Sequence, residues 1–195
     1  MNFGELKAAL LAQIGRAPAD IVYQLVTADI NRELRVSEMV GSTTLTESGS
    51  VTLPEGFLGV VDVYLDTTPR RALSPTTKQA LNAMHTRGGM ASVYAIEDGE
   101  MFLSPEPTTS ETVSLRYYSR IAVLANDNDT NDILTNHPDI YIYGALTHHA
   151  ALIQDGEKAA LWKVGYDGAL KSAQRSDIQT KNASGPLQIN VGTAP

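Results

Sequence analysis

The chain is 195 residues long, with 22 acidic and 15 basic residues, a formal charge of -7 and no cysteine. That length suits one ordinary domain, or one domain carrying a second small module, and lets the fold bury roughly 70% of the surface the unfolded chain exposes. The missing cysteines exclude thiol catalysis, thiolate zinc sites and disulfide staples and fit assembly in a reducing cytosol, while the acidic balance, with Arg70-Arg71 as the only basic pair, argues against the basic face of a sequence-specific DNA reader.

Met1 to Leu6 carries no basic segment followed by an apolar run, so no signal peptide is expected. Residues 2 to 36 predict two helices. Phe3, Leu6, Leu10, Leu11 and Ile14 fall at helical spacing, and Gly15 ends the first helix before Pro18 turns the chain. From Asp20, Val22, Val26, Ile30 and Leu34 repeat every four residues, with Ile21, Leu25 and Ala28 widening the stripe.

The period changes near residue 40. Met39 to Thr46 is short, β-branched and interrupted by glycine, and Glu47-Ser48-Gly49-Ser50 signals a turn. Val51 to Leu53 and Gly59 to Asp66 predict strands, the second of them in the core. Thr76 to Thr86 predicts a short helix with Leu81 and Met84 on one side. Ser92 to Ile96, Met101 to Leu103 and Thr112 to Ser119 predict three more strands, the first two joined by Asp98-Gly99, a dipeptide that accepts positive φ at both turn positions. Asn126 to Asp132 is a polar loop. Thr135 to Asp139 then predicts a helix start, with a capping side chain, a proline in the first turn and an acid at the positive end of the helix dipole. That helix runs to about Gln154 and is closed by Asp155-Gly156. The stretch from Ile140 to Ile153 is too short to span a membrane and is interrupted by Thr147, His148 and His149. A last helix runs from about Glu157 to Ser176, with Leu161, Trp162, Tyr166, Ala169, Leu170 and Ala173 as its apolar face, and the tight break predicts an antiparallel αα-hairpin.

The expected fold class is α+β. Terminal helix pairs, residues 1–38 and 133–178, form a helical bundle, and residues 39–132 form an inserted antiparallel β-module with one short helix and the polar loop. Residues 179–195 form an extended or disordered arm. Within that arm Leu187, Ile189 and Val191 alternate with Gln188 and Asn190, the pattern of a strand that adds to a partner's sheet; an inert tail is the plainer alternative.

Motifs for chemistry are weak. His148-His149 are helix neighbours about 100° apart, whereas a two-histidine metal site on a helix wants i, i+4 spacing, so surface or interface histidines are the better reading. Asp127, Asp129 and Asn131 copy the first calcium-loop ligands, but the required glycine and final glutamate are replaced by Asp132 and Pro138. His137-Pro138-Asp139 matches a co-chaperone tripeptide without the flanking basic helices of that family, so it is read as a helix start. Phosphate loops, dinucleotide fingerprints and nucleophile elbows are missing, so no cofactor, metal site or enzymatic activity is expected.

Five segments keep a common order: Ile30 to Arg35 after the helix pair, Leu53 to Leu58, Tyr94 to Pro107, Leu115 to Tyr118, and Leu134 to Leu146. Together they resemble the head–tail adaptor (connector) family of tailed bacteriophages. Leu134, Thr135, Pro138, Asp139, Tyr141, Tyr143, Gly144 and Leu146 carry the most specific part. The resemblance implies a structural virion protein at the head–tail junction, assembled in the host cytoplasm. It implies a twelve-membered homo-oligomeric ring under the portal protein that extends the DNA channel and bears the tail attachment site. Tail or nozzle proteins and the portal are the implied partners, and DNA passes without sequence-specific binding; no membrane is involved. Leu187, Ile189 and Val191 are the candidate portal-docking residues. The alternatives are another tail completion or assembly protein, or a small enzyme.

Overall fold

The structure, a computed structural model, describes residues 1–47, 50–83, 88–106 and 110–183. The fold is α+β. The chain divides into two compact units, residues 1–38 with 122–195, and residues 39–121.

In the first unit, α1 (Phe3–Ile14) and α2 (Asp20–Glu33) lie where the periodicity predicts them. Asn2 caps α1 by accepting the Glu5 N–H at 2.8 Å, while the Glu5 carboxylate accepts the Asn2 N–H at 3.0 Å, a reciprocal capping box. Gly15 closes α1 at φ 79°, a conformation that costs glycine little. Phe3, Leu6 and Leu10 are buried, and so are Val22, Val26, Ile30 and Leu34. The wider stripe is corrected: Leu11, Ile21 and Leu25 face solvent.

Beyond residue 121 the unit resumes. The Phe3 and Gly4 N–H groups donate to the Asp129 and Asp127 carbonyls, which places the polar loop in the helical unit rather than in the β-module expected from sequence. The single predicted start at Thr135 resolves into α4 (Asp132–Asn136) and α5 (Pro138–Leu152). Pro138 disfavours helical backbone at His137, which sits at φ -133°, ψ 59° and breaks the run. The capping side chain is Asn131, which accepts the Leu134 N–H at 2.8 Å; α5 has no side-chain cap.

The predicted glycine cap at Gly156 is also corrected. Gln154 takes the left-handed position at φ 61°. The Asp155 N–H reaches the Ala150 carbonyl and the Gln154 N–H the Ala151 carbonyl, a Schellman arrangement. Gly156 instead opens α6 (Gly156–Ala183), which Asp155 caps by accepting the Lys158 N–H at 3.1 Å. The arm expected from residue 179 therefore begins later, since residues 179–183 are helical. Asp177 ties this helix to the segment after α2 by accepting the Ser37 N–H at 2.9 Å.

The second unit holds two four-stranded sheets. The first has the order β1 (Val40–Glu47), β8 (Glu111–Ser119), β3 (Phe57–Leu65), β4 (Arg71–Ala72). The second has the order β2 (Ser50–Thr52), β7 (Glu100–Ser104), β6 (Val93–Glu97), β5 (Ser74–Pro75). All pairings are antiparallel except the two-residue β5–β6 contact. Asp98 and Gly99 both take positive φ, 50° and 80°, and join β6 to β7 as the dipeptide predicts. One core draws on both sheets: Val63, Leu65, Val113 and Leu115 from the first, Val51, Tyr94, Met101 and Leu103 from the second. The short helix α3 (Lys78–Ala83) buries Leu81; Met84 lies outside the described residues.

Candidate assembly surfaces

Leu134 to Leu146 forms the interior joint of the helical unit. Leu134 and Tyr141 are fully buried, and Leu146 is 5% exposed. Asn131 has two tasks: its oxygen caps α4 and its amide donates to the Tyr141 hydroxyl at 2.8 Å. Gly144 lies where α5 meets α2 and α6, because a Cβ there would come within 3.0 Å of Val26 and 3.1 Å of Tyr166. Gly165 on α6 faces the Tyr143 ring in the same way, at 3.0 Å, and Tyr143 stacks on Trp162 with centroids 6.1 Å apart. Both glycine–tyrosine contacts lie ten to twelve residues on either side of the turn at Gln154, so α5 and α6 fold back on one another as a hairpin. Pro138 opens α5 at its first turn, while Thr135 and Asp139 are exposed, Thr135 with its hydroxyl 3.1 Å from that of Thr130. Leu187, Ile189 and Val191 lie outside the described residues.

The two adjacent histidines diverge. His148 Nε2 is 2.8 Å from the Asp29 carboxylate on α2. His149 is buried, and its Nε2 has no hydrogen-bond partner among the described residues. Burial, and secondarily the Arg16 charge, hold the His149 pKa below its ordinary 6.5. The unfolded chain therefore takes up this proton first as the pH falls. Stability that is present above pH 6.5 is lost between that value and the lower folded-state pKa. In urea titrations across pH 7.5 to 5, His149→Phe is expected to flatten this acid-side decline; an unchanged profile would assign the decline to other groups.

Two acids of the polar loop have defined partners. Asp127 pairs with Lys7 at 2.8 Å, and the Asp129 carboxylate accepts the Ala125 and Asn126 N–H groups at 2.9 and 2.8 Å. These backbone bonds lower the Asp129 pKa.

Two neighbouring hollows of about 280 and 320 Å³ form one groove along α5. Its floor is a stripe at three- and four-residue spacing, Asp139, Ile142, Leu146, His149 and Ile153, walled by Ala9 and Gln13 of α1 and by Trp162 of α6. Sequence reasoning missed this groove, which is built from segments more than a hundred residues apart. It also assigned Leu161 to the inner face of α6. Leu161 is 64% exposed and Val164 72%, while Tyr166, Ala169, Leu170 and Ala173 form the buried face.

In the second unit the outer edge of β1 receives no backbone hydrogen bond among the described residues, although all eight of its residues pair with β8 on the other side. The edge reads Val40-Gly41-Ser42-Thr43-Thr44-Leu45-Thr46-Glu47. It lacks the lysine, proline or bulge that blunts edge strands, and so offers a template for a further strand. On the outer face of this sheet a polar hollow of about 550 Å³ is lined by Ser42, Thr44, Tyr64 and Ser114 around an Asp62–Arg116 ion pair at 2.8 Å.

An open strand edge, an apolar groove and outward-facing leucine and valine are features of a protein that works by docking to others. The chain belongs to the SU10 adaptor protein family, whose model matches residues 1–189, as the resemblance of its ordered segments implies. It is a structural phage adaptor, a component of the virion, and the family is not one of enzymes. No curated protein sequence matches the chain. Among the described residues no helix is long and apolar enough to cross a membrane.

Proposed function

We propose that the chain is the head-to-tail adaptor of its phage: a homo-oligomeric ring, twelve-fold by analogy with head–tail adaptors, that docks under the portal protein, extends the DNA channel and bears the attachment site for tail proteins. The observation that carries this reading is the family match over residues 1–189. Two physical features support it. A subunit charge of -7 multiplies around a ring, and acids facing a lumen repel the DNA backbone so that it slides rather than sticks. The unblunted β1 edge gives the β-module a surface on which a tail protein's strand can add.

Electron microscopy of the chain with its cognate portal tests the reading. A ring seated on the portal is the expected result; a chain that never binds portal overturns it. The arm is tested separately. Deleting residues 184–195, beyond the end of α6, is expected to leave the melting temperature unchanged and to weaken portal docking at least tenfold. Replacing Leu187, Ile189 and Val191 with Asp is expected to act like the deletion, whereas Gln188 and Asn190 tolerate change. Undiminished docking would refute strand addition by the arm.

A further inference from the structure

The outward face of α6 is ordered in a way the subunit itself does not use. Leu161, Val164, Gly168, Lys171 and Arg175 are all exposed and follow one another at three- and four-residue steps, the spacing of a helix seam that meets another helix. Gly168 is notable within it. A Cβ there would meet nothing within 4 Å, so no contact among the described residues explains a residue that weakens a helix interior by about 1 kcal/mol relative to alanine. A partner helix approaching closely at that point would explain it.

The groove floor on α5 has the same three- and four-residue steps from Asp139 to Ile153. Both stripes run over fifteen residues, about 21 Å of helix from end to end. Their chemistry also matches. The ridge is apolar at Leu161 and Val164 and basic at Lys171 and Arg175, neither of which has an ion pair among the described residues. The groove is apolar around Leu146 and Ile153, where Lys158 at its end is neutralised by Asp155 at 2.9 Å, and acidic at Asp139. Laid antiparallel, apolar meets apolar and cation meets anion.

We propose that the α6 ridge of one copy fills the α1–α5 groove of the next. Ridge and groove lie on different faces of one unit, so the contact is heterologous: each copy gives its ridge to one neighbour and its groove to the other, an arrangement that builds a ring where the rotation closes and not a two-fold dimer. This rests on the ring reading above and names the surfaces that would build it. One helix face of this length is smaller than the roughly 800 Å² per partner of a typical stable pair, so the contact is tested in the assembled state.

The chain has no cysteine, so introduced thiols report cleanly. Gln13→Cys, on the groove wall, and Val164→Cys, on the ridge, are co-expressed with each other and with the portal protein, and treated with a short bismaleimide. Mixed cross-links joining position 13 of one copy to 164 of another are expected, and the double variant is expected to give a ladder of linked subunits. Rings visible by microscopy without mixed cross-links, or with links only between two copies of position 164, overturn the interface and leave the ring reading standing. No rings at all overturn both. Val164→Asp, at a residue 72% exposed, is expected to leave the melting temperature unchanged and to reduce ring recovery at least tenfold; unchanged recovery overturns the interface. The same outcomes expose a competing occupant, because cross-links from position 13 to portal would assign the groove to that protein.

Discussion

Replacing Gly144 with leucine is expected to destabilise the helical unit by about 3 kcal/mol and to lower the melting temperature by about 10 °C. The reason is the triple contact at this residue. A Cβ would lie 3.0 and 3.1 Å from the two methyls of Val26 on α2 and 3.1 Å from the Tyr166 ring on α6. Both neighbours are buried, so neither yields without opening a gap elsewhere. Alanine is the informative intermediate. It gains up to about 1 kcal/mol of helix propensity but must push Val26 and Tyr166 aside by a few tenths of an ångström, so a smaller net loss is expected. Gly165→Ala provides a contrast, because the Tyr143 ring it would meet is only partly buried and can shift. Gly168→Ala is the control: with open space around it, the isolated subunit is expected to be stabilised by up to about 1 kcal/mol. Denaturant unfolding of the four variants decides the matter. A Gly144→Leu protein as stable as the parent would mean that α2, α5 and α6 do not meet as described.

The parts of this architecture legible in the sequence are those with a strong local cause. The four-residue repeat of Val22, Val26, Ile30 and Leu34 marks a face that is buried without exception. Asp98-Gly99 specifies its turn through backbone conformation alone. Weaker local signals were overridden. Gln154 carries the left-handed cap although Gly156 stands two residues away, because the carbonyls of Ala150 and Ala151 fix where the hydrogen bonds must fall. The last turns of α6 escaped the apolar pattern because polar contacts hold them, Lys181 with Asp177 at 2.6 Å and Thr180 with the Ser176 carbonyl at 3.0 Å. β4 and β5 are two residues each and too short for any period.

The family motif was legible for a different reason: Leu134 to Leu146 combines a proline break, a glycine contact and two tyrosines with fixed partners, so its residues constrain one another. The groove was not legible, since Gln13 and Leu146 meet only through the fold. Its partner surface did leave a trace. Leu161, Val164 and Gly168 continue at heptad spacing into Lys171 and Arg175, a second periodic face on a helix whose buried face is already supplied by Tyr166, Ala169, Leu170 and Ala173. A helix with two ordered faces has two neighbours to satisfy.

Tyr141→Ala is the second substitution with a large expected effect, about 3 to 5 kcal/mol by analogy with other buried aromatics. Tyr141 is fully buried, and truncation leaves a ring-sized cavity under Asn131, whose amide loses its partner at 2.8 Å. Tyr141→Phe separates the two contributions: it keeps the ring and removes the hydroxyl, with an expected loss of about 1 kcal/mol. The pair also makes an alkaline prediction. Burial raises the pKa of Tyr141, of Tyr166, and of Tyr23, which is pushed up to about 12 by burial and then by the Asp20 charge. A tyrosine raised in the folded state stays protonated there while the unfolded chain ionises near its ordinary value of 10. Stability is therefore complete below pH 10 and lost as the pH climbs toward 12. All three rings lie in the helical unit, so its unfolding is expected to take a steeper alkaline slope than one tyrosine could give. Tyr141→Phe is expected to lose part of that slope while retaining most of its neutral-pH stability. A slope identical to the parent's would show that the Tyr141 hydroxyl already reaches water.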